Sequence, residues 1–276
     1  MAGYLDHFGL ALAPFATAPD PRFAFATRAH ELALLRLQDS VEQRLGLCML
    51  KGPVGTGKST IAHLLLQTWA GDPERFAVAY LADPSAQTQS QFLRLVLAGF
   101  GLEPSRYLLE NKERLRAFLM DNLAAGRVVV LLLDEAQTIS GPNLATLQQL
   151  SNEQTSDTKL IQIALLAQPT IDRRLANHPA LQSRIARRSH LEPLQFADVV
   201  QLMRHRVAVA GGDFDALFPL PLHRLIYRAS RGIPRRVCVV CDNALFNAYA
   251  AGCPHVDEAA VVSAIEACEY TLEEEK

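Results

Sequence analysis

An excess of charge of either sign is missing from this sequence. Its 27 Lys and Arg stand against 29 Asp and Glu, a formal net charge of −2. A chain so balanced has no bulk field to gather nucleic acid without specificity, although a local basic face is compatible with it. No charge-free apolar run approaches the roughly 20 residues that cross a bilayer. The opening MAGYLDHFGLALAPF has no basic stretch ahead of an apolar core, so a secretory leader is not expected and a cytoplasmic chain is. Cysteine is sparse and odd in number, five in all, at spacings unlike a disulfide framework. Cys238 and Cys241, with Cys253 and His255 behind them, have the residue types of a zinc site. The first two, however, lie within VCVVCDNALFNAYA, a helical apolar pattern, and Cys is itself a small buried residue type. A packed helix face is the expected reading.

What is present begins with Gly52–Ser59, GPVGTGKS, directly behind the apolar run Gly46–Leu50. It fits G-x-x-x-x-G-K-[S/T] at every fixed position. Glycines let backbone N–H groups turn inward into an anion-binding nest. Lys58 supplies a mobile charge for the β- and γ-phosphates, and the Ser59 hydroxyl is offered to Mg²⁺. A helix over about 58–69 aims the positive end of its dipole at the same place. Gly52, Pro53, Val54, Gly55, Thr56, Gly57, Lys58, Ser59 and Thr60 are therefore the candidate nucleotide contacts. A bare strand-to-helix turn would not need all four fixed residues.

The length of 276 residues suggests one or two domains. Residues 1–45 read as a Pro- and Phe-rich segment followed by an amphipathic helix over 28–45, packed on the core. Strands are expected near 47–50, 76–81, 127–133 and 160–167, with a short one near 190–191. Helices are expected near 88–99, 112–125, 142–151 and 170–188, the last interrupted at Pro179. Near-continuous apolar strands such as VVVLLL fit a parallel sheet covered by helices on both faces. That α/β domain spans 46–194. After it, helices near 196–209, 222–229, 234–250 and 257–268 form a small all-helical domain over 195–276, and the terminal EEEK is expected to fray.

The strand over 127–133 ends in VVVLLLDEAQ. A carboxylate at the end of a central strand beside the phosphate loop meets the needs of a nucleotide-bound Mg²⁺, which suits Asp134. Glu135 would extend beyond the sheet and polarise an attacking water as general base. Two acids could instead end a buried strand only to leave the core, but the loop at 52–59 weighs against that. The strand over 160–167 runs into LLAQP, where Gln168 is placed to hold the water or touch the γ-phosphate. LQSRIARRSH sets Arg184, Arg187 and Arg188 near the end of the last core helix. One of them, Arg184 by preference, could present its five-donor fork to a neighbouring copy's γ-phosphate. In RGIPRRV, Arg235 falls in the first turn of a helix, against the dipole's preference for anions there. A phosphate within its reach explains it better than helix stability does.

Together these residues resemble AAA+ ATPases, and more narrowly the ExeA/GspA-type secretion ATPases with their pilus-associated and transposition relatives. Phe8, Gly9, Leu10, Pro14 and Phe15 match the family's opening signature, which implies that Phe15 lies near the adenine. GPVGTGKS matches its Walker A element and LLLDEAQ its Walker B, giving Ser59 and Asp134 the metal role and Glu135 the catalytic one. IQIALLAQP resembles its strand-four element, with Ala167 where Gly is usual, and carries Gln168 over as sensor. LQSRIARR resembles the arginine-finger region and GIPRRV the second sensor, which points to Arg235. The resemblance implies a P-loop NTPase (AAA+) fold: a three-layer αβα core with a parallel sheet, then a helical lid.

It also implies ATP and Mg²⁺ as cofactors, ATP hydrolysis, and self-association into a ring or filament with an arginine supplied in trans. Secretion members usually continue into a membrane segment and a peptidoglycan-binding domain, which these 276 residues do not contain. If this is the whole protein, it is expected to act through a secretion or pilus membrane protein, docked at the inner face of the membrane. The alternative is a regulator of transposition that assembles on duplex DNA and recruits a transposase. Lys51, Arg94, Arg106, Lys112, Arg114 and Arg116 are its candidate positives, and no DNA-specific motif stands out. A nucleotide switch with negligible turnover is a third reading, which the Asp-Glu pair disfavours.

Overall fold

The computed structural model describes residues 3–17 and 20–270, so the expected fraying of the terminal EEEK lies outside the described residues. In chain order the elements are α1 (Tyr4–His7), α2 (Arg28–Glu42), β1 (Leu47–Lys51), α3 (Lys58–Ala70), β2 (Phe76–Leu81) and α4 (Gln89–Gly99). There follow α5 (Leu108–Ala124), β3 (Val128–Leu133), α6 (Gly141–Leu150), β4 (Ile161–Ala167), α7 (Ile171–Leu175), α8 (Pro179–Gln182) and β5 (Ile185–His190). The chain closes with α9 (Phe196–Val209), α10 (Phe214–Leu217), α11 (Leu220–Ser230), α12 (Pro234–Ala250) and α13 (Glu258–Ala267). It groups into two compact units: 28–53 with 57–191, and 1–27 with 54–56 and 192–276.

The first unit is built on a five-stranded sheet in the order β2-β3-β4-β1-β5, every pair parallel. Alternate residues of each strand enter opposite layers, as the two-residue period of a strand requires. Leu47, Met49, Leu131, Leu133, Ile163 and Leu165 pack with side chains of α4, α5 and α6. Cys48, Leu50, Val130, Leu132, Ala164 and Leu166 pack on the opposite face with α2 and α3, where Trp69 is fully buried. Covered on both faces, β3 and β4 can be apolar at almost every position.

Gln162 is the exception within β4, buried with 1% of its surface exposed. Its Oε1 accepts the Gly46 N–H at 2.8 Å, and its Nε2 donates to the Lys159 carbonyl at 3.1 Å. One amide thereby satisfies two backbone groups at the mouths of neighbouring strands. Gln162→Leu is expected to lower stability by about 1–3 kcal/mol, the cost of leaving buried polar groups unpaired. A urea midpoint that falls at unchanged slope would register it, and an unchanged midpoint would refute it.

The second unit is helical. Val199, Met203, Val207, Ile226, Val237, Cys241, Leu245 and Val261, from α9, α11, α12 and α13, form its core. Leu10, Phe15 and Phe23 belong to the same core, and residues 1–27 group with the helical unit. The reason is local. Phe15 meets Phe218 edge to face at 5.7 Å, and the Arg206 guanidinium donates to the Pro14 and Ala16 carbonyls at 3.1 and 3.2 Å. Cys238 and Cys241 sit buried on α12 inside this core. No helix among the described residues is long and apolar enough to cross a membrane.

Candidate functional site

Three adjacent strands, β3, β4 and β1, deliver the site's polar groups from their C-terminal ends. Lys51 is in register with Ala167, so Gly52 and Gln168 emerge side by side, while Leu133, in register with Leu165, sets Asp134 two positions short of Gln168 on the neighbouring strand. The Gly52 N–H donates to the Ala167 carbonyl at 3.1 Å, which starts the phosphate loop on β4's shoulder. Gly57, at φ +100°, caps α3 in the left-handed region. A Cβ there would come within 2.9 Å of His30 Nε2 on α2, so the conformation demands glycine and the His30 ring would have to shift for any other residue.

Lys58 is the first residue of α3 and is 95% buried, with 5% of its surface exposed. Its ammonium donates to the Gly52 and Pro53 carbonyls, both at 2.9 Å. Thr56 is buried, whereas Val54, Ser59 and Thr60 are exposed. The Ser59 hydroxyl donates to Asp134 Oδ2 at 2.8 Å, and the Glu135 N–H donates to Asp134 Oδ1 at 2.9 Å. A hydroxyl oxygen beside a carboxylate is the hard donor set that Mg²⁺ takes, so this pair fits the ion. The Tyr80 hydroxyl, one strand over on β2, lies 3.5 Å from Asp134 Oδ2. Burial above all, and then the Asp134 charge, push its pKa up to about 12. It is therefore a neutral donor facing the carboxylate.

Glu135 leaves β3 at φ +48° and ψ +34°, a left-handed conformation uncommon for a side-chain-bearing residue. The 3₁₀ turn Ala136–Thr138 follows. Gln168 Nε2 donates to Glu135 Oε2 at 3.1 Å, and Gln137 Nε2 donates to that same oxygen. The carboxylate and both amides thus form one cluster. The sequence pattern singles out Glu135 and Gln168 but not Gln137, although it closes the same DEAQ run. Nor does it single out His30 or Tyr80. Tyr80 sits near the end of the strand beside β3, which is the signal that would have found it.

The arginines differ from expectation in one respect. Arg187 and Arg188 lie on β5 rather than at the end of a helix, because the chain after Pro179 makes only the short α8 before turning into strand. Arg187 pairs with Asp39 on α2, and Arg188 donates to the Gln182 carbonyl at 2.8 Å. Arg184 is exposed in the turn between α8 and β5, and its side chain has no polar partner among the described residues. In the helical unit, Arg235 occupies the first turn of α12 as expected. Its N–H donates to the Gly55 carbonyl at 3.3 Å. A Cβ on Gly55, itself at φ +82°, would lie 2.9 Å from that of Arg235. Phe15, which the resemblance sets near the adenine, is fully buried against Phe218 in the helical core.

Residues 41–175 match the family model of the AAA domain. General secretion pathway protein A of Aeromonas hydrophila is 36% identical over 254 residues, 90% of this chain and 45% of that protein. The chain therefore spans about half the length of the curated relative it matches. Among solved structures, Cdc6p from Pyrobaculum aerophilum superposes with a TM-score of 0.68 at 15% identity, over 95% of this chain and 72% of that one. The Aeropyrum pernix ORC2 protein does so with a TM-score of 0.64 at 21% identity, over 92% and 71%. The Thermotoga maritima RuvB Holliday junction branch migration motor gives 0.57 at 17%, over 88% and 69%. These likenesses concern the fold. The sheet-based unit, with its parallel strands and phosphate loop, is the ATP-binding domain of an AAA+ ATPase related to the secretion-pathway ATPases.

Proposed function

We propose that this chain is a Mg²⁺-dependent ATPase that couples nucleotide-driven self-association to the assembly or regulation of a secretion- or pilus-type machinery. The observation that carries the enzymatic part is the Glu135–Gln168 contact, set beside the Ser59–Asp134 pair at the ends of neighbouring strands. The process is argued from the relative named general secretion pathway protein A. Ser59 and Asp134 would hold the ion, which when bound offsets charge on the phosphate oxygens. Lys58 exchanges the Gly52 and Pro53 carbonyls for phosphate oxygens, and the loop N–H groups around Gly55 and Gly57 cradle the rest. Gln168 orients a water in line with the γ-phosphorus. As the water oxygen bonds to phosphorus, the bond to the bridging oxygen breaks, ADP takes its electron pair and Glu135 accepts the water's proton.

Arg235, beside Gly55, is assigned a second positive charge toward the phosphates. Arg184 is assigned the trans contact, because Arg187 and Arg188 are already committed to Asp39 and Gln182. On this reading the protein works in the cytoplasm and reaches the inner face of a membrane through a partner. Arg184→Ala is expected to cut turnover at least about 10²-fold at concentrations where the parent assembles. Mixing it with Glu135→Gln should restore activity, since the second copy supplies the missing arginine to the first. A mixture as inactive as its components would remove the trans assignment.

The function itself is tested by ATP turnover measured against protein concentration, with and without duplex DNA, at two salt concentrations. Turnover per chain should rise with concentration and ignore DNA. Stimulation by DNA, with binding that weakens as salt rises, would replace the secretion reading by one of assembly on DNA and recruitment of a transposase.

A further inference from the structure

Beyond Glu135 and Gln168 stands an amide that has no assigned role. Gln137 reaches Glu135 from two residues along the chain because the left-handed turn at Glu135 folds the 3₁₀ segment back on itself. Its two ends do different things. Oε1 accepts the backbone N–H of Gln168 at 2.9 Å, at the point where β4 has ended and Pro169 follows. Nε2 donates to Glu135 Oε2.

These two contacts are linked by the covalent shape of a primary amide. Its acceptor and its donors lie in one rigid plane and point away from each other. With the oxygen held by the Gln168 N–H, the NH₂ can point only the other way, toward the carboxylate. A flip would set two donors face to face and two acceptors face to face. The β4 terminus therefore dictates which end of Gln137 meets Glu135. Gln168 donates a second hydrogen bond to the same Oε2. Both donors fall on one carboxylate oxygen, and Oε1 of Glu135 receives none from the described residues.

We propose that Gln137 is a positioning residue: with its own orientation set by the Gln168 backbone, it holds Oε2 of Glu135 and so presents Oε1 as the oxygen that takes the water's proton. This rests on the reading of Glu135 as general base and deepens it. A carboxylate free to rotate about its last two torsions would offer its oxygens indifferently. One pinned by two amides offers a single oxygen in a single direction, and positioning of that kind is worth up to about 10²-fold in rate. A role confined to the 3₁₀ turn would need only the Oε1 contact with Gln168, so the two ends of the amide can be tested apart.

Two variants do so. Gln137→Met keeps the length and removes both contacts. Gln137→Glu keeps an oxygen for the Gln168 N–H but turns a second carboxylate on Glu135. Each is measured for kcat and KM with Mg-ATP, for nucleotide affinity and for thermal midpoint, in the parent and in a Glu135→Gln background. Both are expected to lose roughly 10- to 100-fold in kcat, with KM and affinity within about twofold of the parent. In the Glu135→Gln background neither should lose more, because the residue acts only through that carboxylate. Parental kcat in Gln137→Glu would show that anchoring the turn is all that is needed, which overturns the proposal. An undiminished loss in the Glu135→Gln background would overturn it too. Should Gln137→Met lose its thermal midpoint, Gln137→Glu, which retains the anchoring contact, still decides. If the parent binds ATP without turnover, the base reading fails and carries this one with it. A parent that turns over ATP beside unaffected Gln137 variants sinks the present inference alone.

Discussion

Glu135→Gln is expected to bind ATP as the parent does and to hydrolyse it about 10²–10⁴-fold more slowly, the range that a positioned general base contributes. The substitution is nearly isosteric. Its amide oxygen can still accept from Gln168 and Gln137, so the cluster at the ends of β3 and β4 keeps its shape. What is lost is a group able to take a proton. The effect should therefore fall on turnover and leave affinity and thermal midpoint in place. Single-turnover hydrolysis beside a nucleotide-binding titration separates the two. Parental turnover in this variant would end the assignment, and a collapse of binding would show that Glu135 serves the bound state instead.

Lys58→Ala should act on the opposite quantity. The ammonium is buried and now satisfied by the Gly52 and Pro53 carbonyls, both acceptors of its own loop. That arrangement keeps a desolvated charge tolerable until phosphate oxygens replace the carbonyls. Removing it is expected to weaken ATP binding by roughly 10²-fold, equivalent to about 2.8 kcal/mol at 1.4 kcal/mol per tenfold. Folding should suffer less, because the two orphaned carbonyls lie at a loop that water can enter once the side chain is gone. A binding titration at fixed Mg²⁺ checks the first expectation and a denaturant midpoint the second. Affinity equal to that of the parent would mean that this loop does not grip the terminal phosphates.

Much of this was legible in the chain because the relevant signals are local and strong. The run VVVLLL occupies β3, and IQIALLA occupies β4 as a strand buried at every position. The helices at 196–209 and 234–250 begin and end where their caps and periodicity place them. Asp134 and Glu135 follow directly from standing next after an apolar strand. What escaped depended on contacts between distant residues. Phe15 packs against Phe218, some two hundred residues away, and no spacing rule reports that. Arg187 and Arg188 close the stretch 170–188 that the sequence pattern assigns to helix. The strand forms there through pairing with β1, which overrides propensity. Gln137 was in plain view within DEAQ, but its partner is a backbone N–H at residue 168.

One margin of the sheet has a bearing on how copies of this chain could meet. Among the described residues strand β5 pairs with β1 alone, and its sequence IARRSH places Arg187, Arg188 and His190 on this edge strand. Such a rim resists annealing to another rim, since bringing two copies into continuous hydrogen-bonded sheet would crowd like charges together. If copies do associate at this border, as the proposed self-association would allow, the contacts would run through side chains, each reversible by itself. An assembly joined in that manner can come apart again when its fuel is spent, which a fused ribbon of strands could not.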